Sequence, residues 1–331
     1  MTNTKPAISI CIPAYKRVDS LKRLFDSIKI QTFNDFEVII TDDSPDDSVR
    51  NLAEIFKEKI SLKYFKNIDT LGTPANWNAC IDMASGEWIK IMHDDDWFAN
   101  ENSLALFAAR INDGGKFIFC NYLSIDEENK VSKKSAISNS WKTRITEEPY
   151  TLYAKNMIGP PSVTLIHTSI MEKFDTDLKW LVDVDFYISV LSKEKKIIHI
   201  NEPLISIGLS ETQVTNACFL NPLIELPEGL RMLEKNGLTK LKNIWVYDAW
   251  WRLFRNMQIK NEAELEQYVP RKWPAVLVSM LNDQKKYPSG LLKNGFFSKA
   301  LCFFLLKKTH LESTKFLAII IFCKCDKIFP C

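Results

Sequence analysis

Three groups of aspartates stand out as chemistry-bearing: Asp42 with Asp43, the run Asp94-Asp95-Asp96, and Asp183 with Asp185. Neighbouring carboxylates repel and raise each other's pKa unless a cation or a hydrogen-bond donor satisfies them. A run of three after an apolar stretch therefore asks for a hard divalent ion. Mg²⁺ and Mn²⁺ take oxygen ligands and share their shell with substrate phosphates. The competing reading is local, because Asp is common in turns and as a helix N-cap. For Asp42 and Asp43 capping is an adequate account. One cap cannot employ three carboxylates, so Asp94–Asp96 fits a metal better.

The elements that must position these groups alternate in type. Ile8–Ile12, Glu37–Thr41, Leu62–Lys66, Trp88–Met92 and Phe117–Tyr122 read as strands. Between them, Ser20–Ile30, Ser48–Phe56, Ala75–Ala84 and Ser103–Ile111 carry helical periodicity. Such alternation predicts βαβ units and a mostly parallel sheet flanked by helices, an α/β fold that binds ligands beyond the carboxyl ends of its strands. Asp42–Asp43 and Asp94–Asp96 each follow such a strand; Asp183 and Asp185 open a later helix of about Leu181–Leu191. Ser124–Arg144 reads as a loop or edge hairpin, and Ser162–His167 as a further strand. Pro222 and Pro227 punctuate a boundary, which divides the chain into an α/β domain, 1–215, and a helical C-terminal region, 216–331. The aromatics from Trp245 to Phe254 recur at helical spacing and are expected in a core, a sugar-stacking platform being the alternative, and His167 and His199 in strand-like surroundings are expected as satisfied core or edge residues.

Composition is that of an ordinary globular chain, with 25% charged and 46% hydrophobic residues. A net charge of +2 says nothing about nucleic acid, and no nucleic-acid partner is expected. The charge is unevenly spread: from Lys285 onward nine Lys face two acidic residues. This basic tail contains two apolar runs, Leu301–Leu306 and Phe316–Cys323, each shorter than the roughly 20 residues a spanning helix needs. An interfacial contact with anionic lipid is the expected role, packing on the body of the protein the alternative. No secretory signal is evident at the N-terminus and most of the eight Cys are scattered, which points to a cytoplasmic protein with reduced thiols, peripheral on the inner membrane. Cys323, Cys325 and Cys331 lack the fourth ligand and the pairing of a metal site.

Two nucleotide-binding classes are excluded. A phosphate-loop NTPase needs G-x-x-x-x-G-K-[ST], and Gly114-Gly115-Lys116 has neither the spacing nor the hydroxyl. No G-x-G-x-x-G follows the first strand either.

From Ile8 to Thr215 the chain resembles the family-2 glycosyltransferases of GT-A fold. The blocks that carry the resemblance are Ser9-Ile-Cys-Ile-Pro-Ala-Tyr-Lys-Arg17, Gln31-Thr-Phe, Asp35-Phe-Glu-Val-Ile-Ile-Thr-Asp-Asp-Ser44, Asn76-Trp-Asn78, Ala84-Ser-Gly-Glu-Trp-Ile89 and His93-Asp-Asp-Asp-Trp97. The resemblance implies a metal-dependent transferase of hexosyl type, inverting, acting in bacterial polysaccharide or O-antigen-type glycan synthesis. Its donor would be a nucleotide-diphosphate sugar, UDP favoured, its acceptor a lipid-linked glycan, and its cofactor Mn²⁺ or Mg²⁺. Pro13 and Tyr15 would border the nucleotide, Asp43 would bond the base, and Asp42 and Asn78 join this donor-binding set. Asp94 would lie near the ribose or phosphates. Asp95 would be the principal metal ligand, with Asp96 beside it. Asp183 matches the base of inverting members, and Asp185 competes for that role. The chain departs from the family at Trp77, where Arg is frequent, at Val182 in place of Glu, and at Ser210 in place of His. These departures motivate an alternative, a catalytically inactive nucleotide-sugar-binding module. A nucleotidyltransferase ranks last, because only Lys16 and Arg17 follow the first strand.

Overall fold

The structure, a computed structural model, describes residues 5–126, 130–209 and 217–309. Two compact units divide the chain, Met1–Asn236 and Gly237–Cys331.

The first unit is built on a nine-stranded sheet. Strands β1 (Ile8–Ala14), β2 (Phe36–Asp42), β3 (Leu62–Lys66) and β4 (Trp88–Ile91) are parallel, in the order β3-β2-β1-β4. Helices α1 (Val18–Lys29), α2 (Ser48–Phe56) and α3 (Ala75–Asp82) connect them, as alternation predicts. β1 is buried along its whole length, which explains a sequence that is apolar except for Ser9. The GT-A expectation of a mostly parallel sheet with helices around it is met. Beyond β4 lie β5 (Asp96–Phe98), α4 (Ser103–Ala108), β6 (Phe117–Ile125), β7 (Val131–Lys134), α5 (Asn139–Glu147), β8 (Thr164–His167), α6 (Val182–Lys193) and β9 (Ile197–Gly208). β8 is antiparallel to both β4 and β6, whereas β9 is parallel to β6 and antiparallel to β5. The polar stretch after β6 is a hairpin with β7 followed by α5, a helix its weak periodicity hid.

Several residues of these blocks are fasteners rather than site groups. Buried Glu37 accepts from Ser9 Oγ (2.6 Å), Ser85 N (2.8 Å) and Lys63 Nζ (2.7 Å); although burial opposes ionisation, these donors hold its carboxyl down at about 2. Gly86 donates to the same Ser9 hydroxyl, and a Cβ there would lie 2.6 Å from Ser9 N, so only glycine admits this approach. Gln31 donates to Ser27 O and Asn100 O and accepts from Leu104 N, pinning the end of α1 to the start of α4.

A helix α7 (Pro222–Asn236) closes the first unit. Pro222 opens it, where a missing N–H is harmless, and Pro227 lies inside it. The prolines that read as punctuation are thus absorbed into a helix. That helix is retained by side chains spaced along one face: Glu228, Arg231 and Lys235 bind residues of the 175–185 segment.

The second unit contains α8 (Ile244–Met257), α9 (Glu262–Tyr268), α10 (Ala275–Gln284), α11 (Ser289–Lys293) and α12 (Gly295–Thr309). Tyr247, Trp250, Trp251 and Phe254 are buried, and Trp250 meets Trp273 edge-on, so the aromatic stripe is core, as its spacing predicts. The apolar run Leu301–Leu306 is divided: Cys302, Leu305 and Leu306 are buried while Phe304 is exposed, as are Phe296 and Phe297. No described helix is long and apolar enough to cross a membrane. The second apolar run, Cys323, Cys325, Cys331 and Ser210 lie outside the described residues.

Candidate active site

The carboxyl ends of β1, β2 and β4 lie side by side, since Ala14 pairs with Asp42 and Cys11 with Ile91. The loops that follow them bring the Asp42–Asp43 and Asp94–Asp96 groups to one edge of the sheet. Neither group caps a helix. α2 begins at Ser48 with Asp47 as its N-cap, and Asp96 is itself the first residue of β5.

Asp42 is fully buried and saturated, accepting from Ser44 N (2.8 Å), Tyr64 OH (2.7 Å) and Lys66 Nζ (3.1 Å). Its carboxylate organises the end of β2. Asp43 accepts from Asn67 Nδ2 (2.6 Å), Leu71 N (3.1 Å) and Gly72 N (2.8 Å), gathering the 67–72 loop around it. Asn78 spends its amide on both backbone groups of Phe174, at 2.9 Å each, which ties α3 to the segment leading to α6. Pro13 is buried in β1, and Tyr15 stands exposed at the strand end with its N–H on Asp94 Oδ2 (3.1 Å).

Within the Asp94–Asp96 run each carboxylate has a distinct setting. Burial and the neighbouring Asp95 push the Asp94 carboxyl up to about 7. Arg17 ion-pairs with Asp95 and lies 3.6 Å from Asp94. Asp96 is 2% exposed, and burial followed by the Asp95 charge raises it far above the carboxylate range. Its Oδ2 has no hydrogen-bond partner, and neither has the buried Nε2 of His93. Among the described residues, His93, Asp95 and Asp96 form one group whose ligand atoms lie within 4.8 Å of one another. Burial holds the His93 imidazole down at about 4, so it is neutral at pH 7 and able to ligate. The indole of Trp77 packs on it with ring centroids 4.6 Å apart. An imidazole nitrogen and two carboxylates, two of them with unpartnered buried atoms, fit a divalent cation. His93 is a ligand candidate that sequence reading passed over, although it begins the quoted motif.

Behind the cluster sits Lys90, wholly buried in β4, its ammonium bonded to the carbonyl of Ser162; burial lowers it to about 7. The Ser162 hydroxyl accepts from His93 N (3.0 Å) and offsets part of the rise at Asp96.

Asp183 and Asp185 open α6 but face apart. Asp183 accepts from Asn156 Nδ2 at Oδ2 (2.7 Å) and from Val184 N at Oδ1 (2.8 Å), and burial raises it to about 6. Asp185, 1% exposed, pairs with Lys235 of α7 (2.7 Å), and burial raises it as well. The phenol of Tyr122 in β6 is raised first by burial and then by the charges of Asp183 and Asp96.

The Glycosyl transferase family 2 model matches residues 9–175, half of the chain. The chain belongs to glycosyltransferase family 2. The match covers β1 through the acidic run, the Trp77–Asn78 pair and Phe174. The GalNAc(5)-diNAcBac-PP-undecaprenol beta-1,3-glucosyltransferase of Campylobacter jejuni is 31% identical over 131 residues, 39% of this chain and 42% of that protein. Abequosyltransferase RfbV of Salmonella typhimurium is 30% identical over 118 residues, 34% of this chain and 35% of that one. The aligned chain thus spans about two fifths of the glucosyltransferase's length. Among solved structures, S. aureus TarS 1-349 in complex with UDP-GlcNAc superposes with a TM-score of 0.53 at 17% identity, covering 87% of this chain and 74% of that one. The Pyrobaculum calidifontis mannosyltransferase PcManGT, in complex with GDP-Man and Mn²⁺, gives 0.51 at 12% identity, with 94% and 89% covered. These likenesses establish the GT-A fold of this family-2 member.

Proposed function

We propose that this family-2 member transfers a sugar from a nucleotide-diphosphate donor, UDP favoured, to a hydroxyl of a lipid-linked glycan acceptor during bacterial surface-polysaccharide synthesis. The observation that carries this reading is the His93–Asp95–Asp96 group at the strand ends, with a buried unpartnered atom on His93 and another on Asp96, in a chain of this family. The UDP-GlcNAc bound to TarS and the undecaprenol-linked substrate in the C. jejuni relative's name support the choice of donor and acceptor. Mn²⁺ or Mg²⁺ held there would neutralise the diphosphate as it departs.

The chain's own residues do the rest. Asp94 and Asp95 hold Arg17 at the mouth of the acidic group, placing a guanidinium where a diphosphate would arrive. Tyr15 and Asp43 border the nucleotide, Asp43 through whatever lone pairs its loop leaves free. Asp42 and Asn78 act through the backbone they hold. Asp183 takes the proton of the acceptor hydroxyl as that oxygen attacks the anomeric carbon. Each of its oxygens accepts one protein hydrogen bond, leaving a lone pair on each for the hydroxyl. A single displacement inverts the anomeric centre. Asp185, committed to Lys235, is not the base. We assign donor binding and catalysis to the first unit. Phe296, Phe297 and Phe304 of α12, beside a basic C-terminal sequence, would rest on the cytoplasmic face of the inner membrane.

A thermal-shift screen of UDP- and GDP-sugars, followed by turnover with Mn²⁺ and with a chelator, tests the reading. Stabilisation by one donor class with metal-dependent turnover is expected. Donor binding without turnover on any glycan acceptor would make the chain the inactive module instead.

A further inference from the structure

We propose that Asn156 is the positioning residue that holds Asp183 as an ionised base, its amide forming one end of a seven-residue strap, 156–162, that joins the base to the metal-ligand group. This rests on the reading of Asp183 as the base.

The Asn156 amide is saturated. Its Oδ1 accepts from Ile158 N (3.1 Å) and Gly159 N (3.0 Å), and its Nδ2 donates to Gly159 O (3.1 Å) and to Asp183 Oδ2 (2.7 Å). A flipped amide would set oxygen against both a carbonyl and a carboxylate, so the orientation is determined by its partners. The turn is packed from the other side as well. Gly159 adopts φ 113°, and a Cβ there would lie 2.7 Å from the Tyr122 ring. Tyr187 OH donates to Gly159 O (3.0 Å) from one turn further along α6. Six residues after Asn156, Ser162 takes His93 N on its hydroxyl and the Lys90 ammonium on its carbonyl. One short stretch of chain therefore touches both Asp183 and the His93 end of the metal-ligand group.

The electrostatic consequence has a definite sign. Burial favours the neutral acid at Asp183, and Tyr187 and Tyr122 face it without supplying a positive charge. Asp185 points instead to Lys235. The backbone N–H groups of Val184 and Asp183 draw the carboxyl back down towards ionisation, and the Asn156 N–H, the one side-chain donor bonded to the carboxylate form, adds to them. Without that donor the base is held protonated to higher pH, and turnover is lost from the acid side.

Two variants test this. Asn156→Ala removes the whole amide. Asn156→Asp keeps an oxygen for Ile158 N and Gly159 N but gives up the bond to Gly159 O, and it replaces the donor facing Asp183 by a like charge. The Asp183 carboxyl is followed by ¹³C NMR in protein labelled at aspartate Cγ, its resonance identified by its loss in Asp183→Asn. The acid limb of kcat/KM is measured in parallel with the donor that turns over. The titration and the acid limb are expected to move up together by about one pH unit in Asn156→Ala, and further in Asn156→Asp. Calorimetric Mn²⁺ affinity should stay within about threefold of the parent. An unmoved Asp183 titration in a folded Asn156→Asp protein overturns the role of Asn156 and leaves the base assignment standing. Undiminished transfer by Asp183→Asn overturns the base assignment itself.

Discussion

Asparagine placed separately at Asp183 and at Asp185 should have opposite effects, although the two residues are two apart on one helix. At Asp183 the change removes the proton acceptor while preserving shape. General-base catalysis contributes about 10²- to 10⁴-fold, and kcat should fall by that amount. Stability should change little, because relief of a buried carboxylate is offset by one of its two accepted bonds becoming a clash between donors. At Asp185 the change breaks the 2.7 Å pair with Lys235. Lys235 is 44% exposed and regains water, so the loss is that of a screened pair, about 1–2 kcal/mol. In a unit of this size that corresponds to a fall in Tm of roughly 2–8 °C. Turnover of Asp185→Asn at a temperature well below its Tm should stay within about tenfold of the parent. The assays are steady-state transfer at saturating donor and differential scanning calorimetry, run on the same preparations. Loss of transfer in Asp185→Asn, with Asp183→Asn still active, would refute the assignment and make Lys235 a partner of the base.

Three further outcomes are expected. Arg17→Ala should tighten Mn²⁺ binding in the absence of donor by about two- to fivefold, the discounted value of a 36%-exposed pair, while weakening UDP binding; calorimetric titrations with each ligand check both signs. Glu228→Ala leaves the N–H groups of Lys179, Trp180 and Leu181 without their shared acceptor and should cost about 2–4 kcal/mol, read as a fall in the denaturation midpoint. Replacing Phe296, Phe297 and Phe304 together by Ser should reduce co-sedimentation with anionic vesicles without lowering Tm, since all three side chains are exposed; unchanged sedimentation would remove α12 from the membrane contact.

Much of the fold is written in local pattern. β1, β2, β3 and β4 are short apolar runs separated by amphipathic helices, and their order forces parallel pairing with the strand ends on one edge. That order alone brings Asp42–Asp43 and Asp94–Asp96 to one edge, and the blocks around them belong to the family whose match spans 9–175. What local pattern leaves open is the division of labour among like residues. Asp42 and Asp43 are adjacent, yet one is saturated by β3 and the other gathers a loop from residues 67–72. Asp183 and Asp185 flank the same Val184, but two positions along a helix are about 200° of rotation, so one faces Asn156 and the other α7. β5, three residues long and recruited by β9 across the sheet, has no period to read. Asn156 carries no signal at all, because an amide acquires a role only when the chain folds back to set against it a carboxylate 27 positions further on. Sequence determines the strands, and with them which carboxylates meet at the edge. Which of those carboxylates stays unsatisfied, and therefore available for chemistry, depends on donors brought from distant parts of the chain, and only tertiary packing decides that.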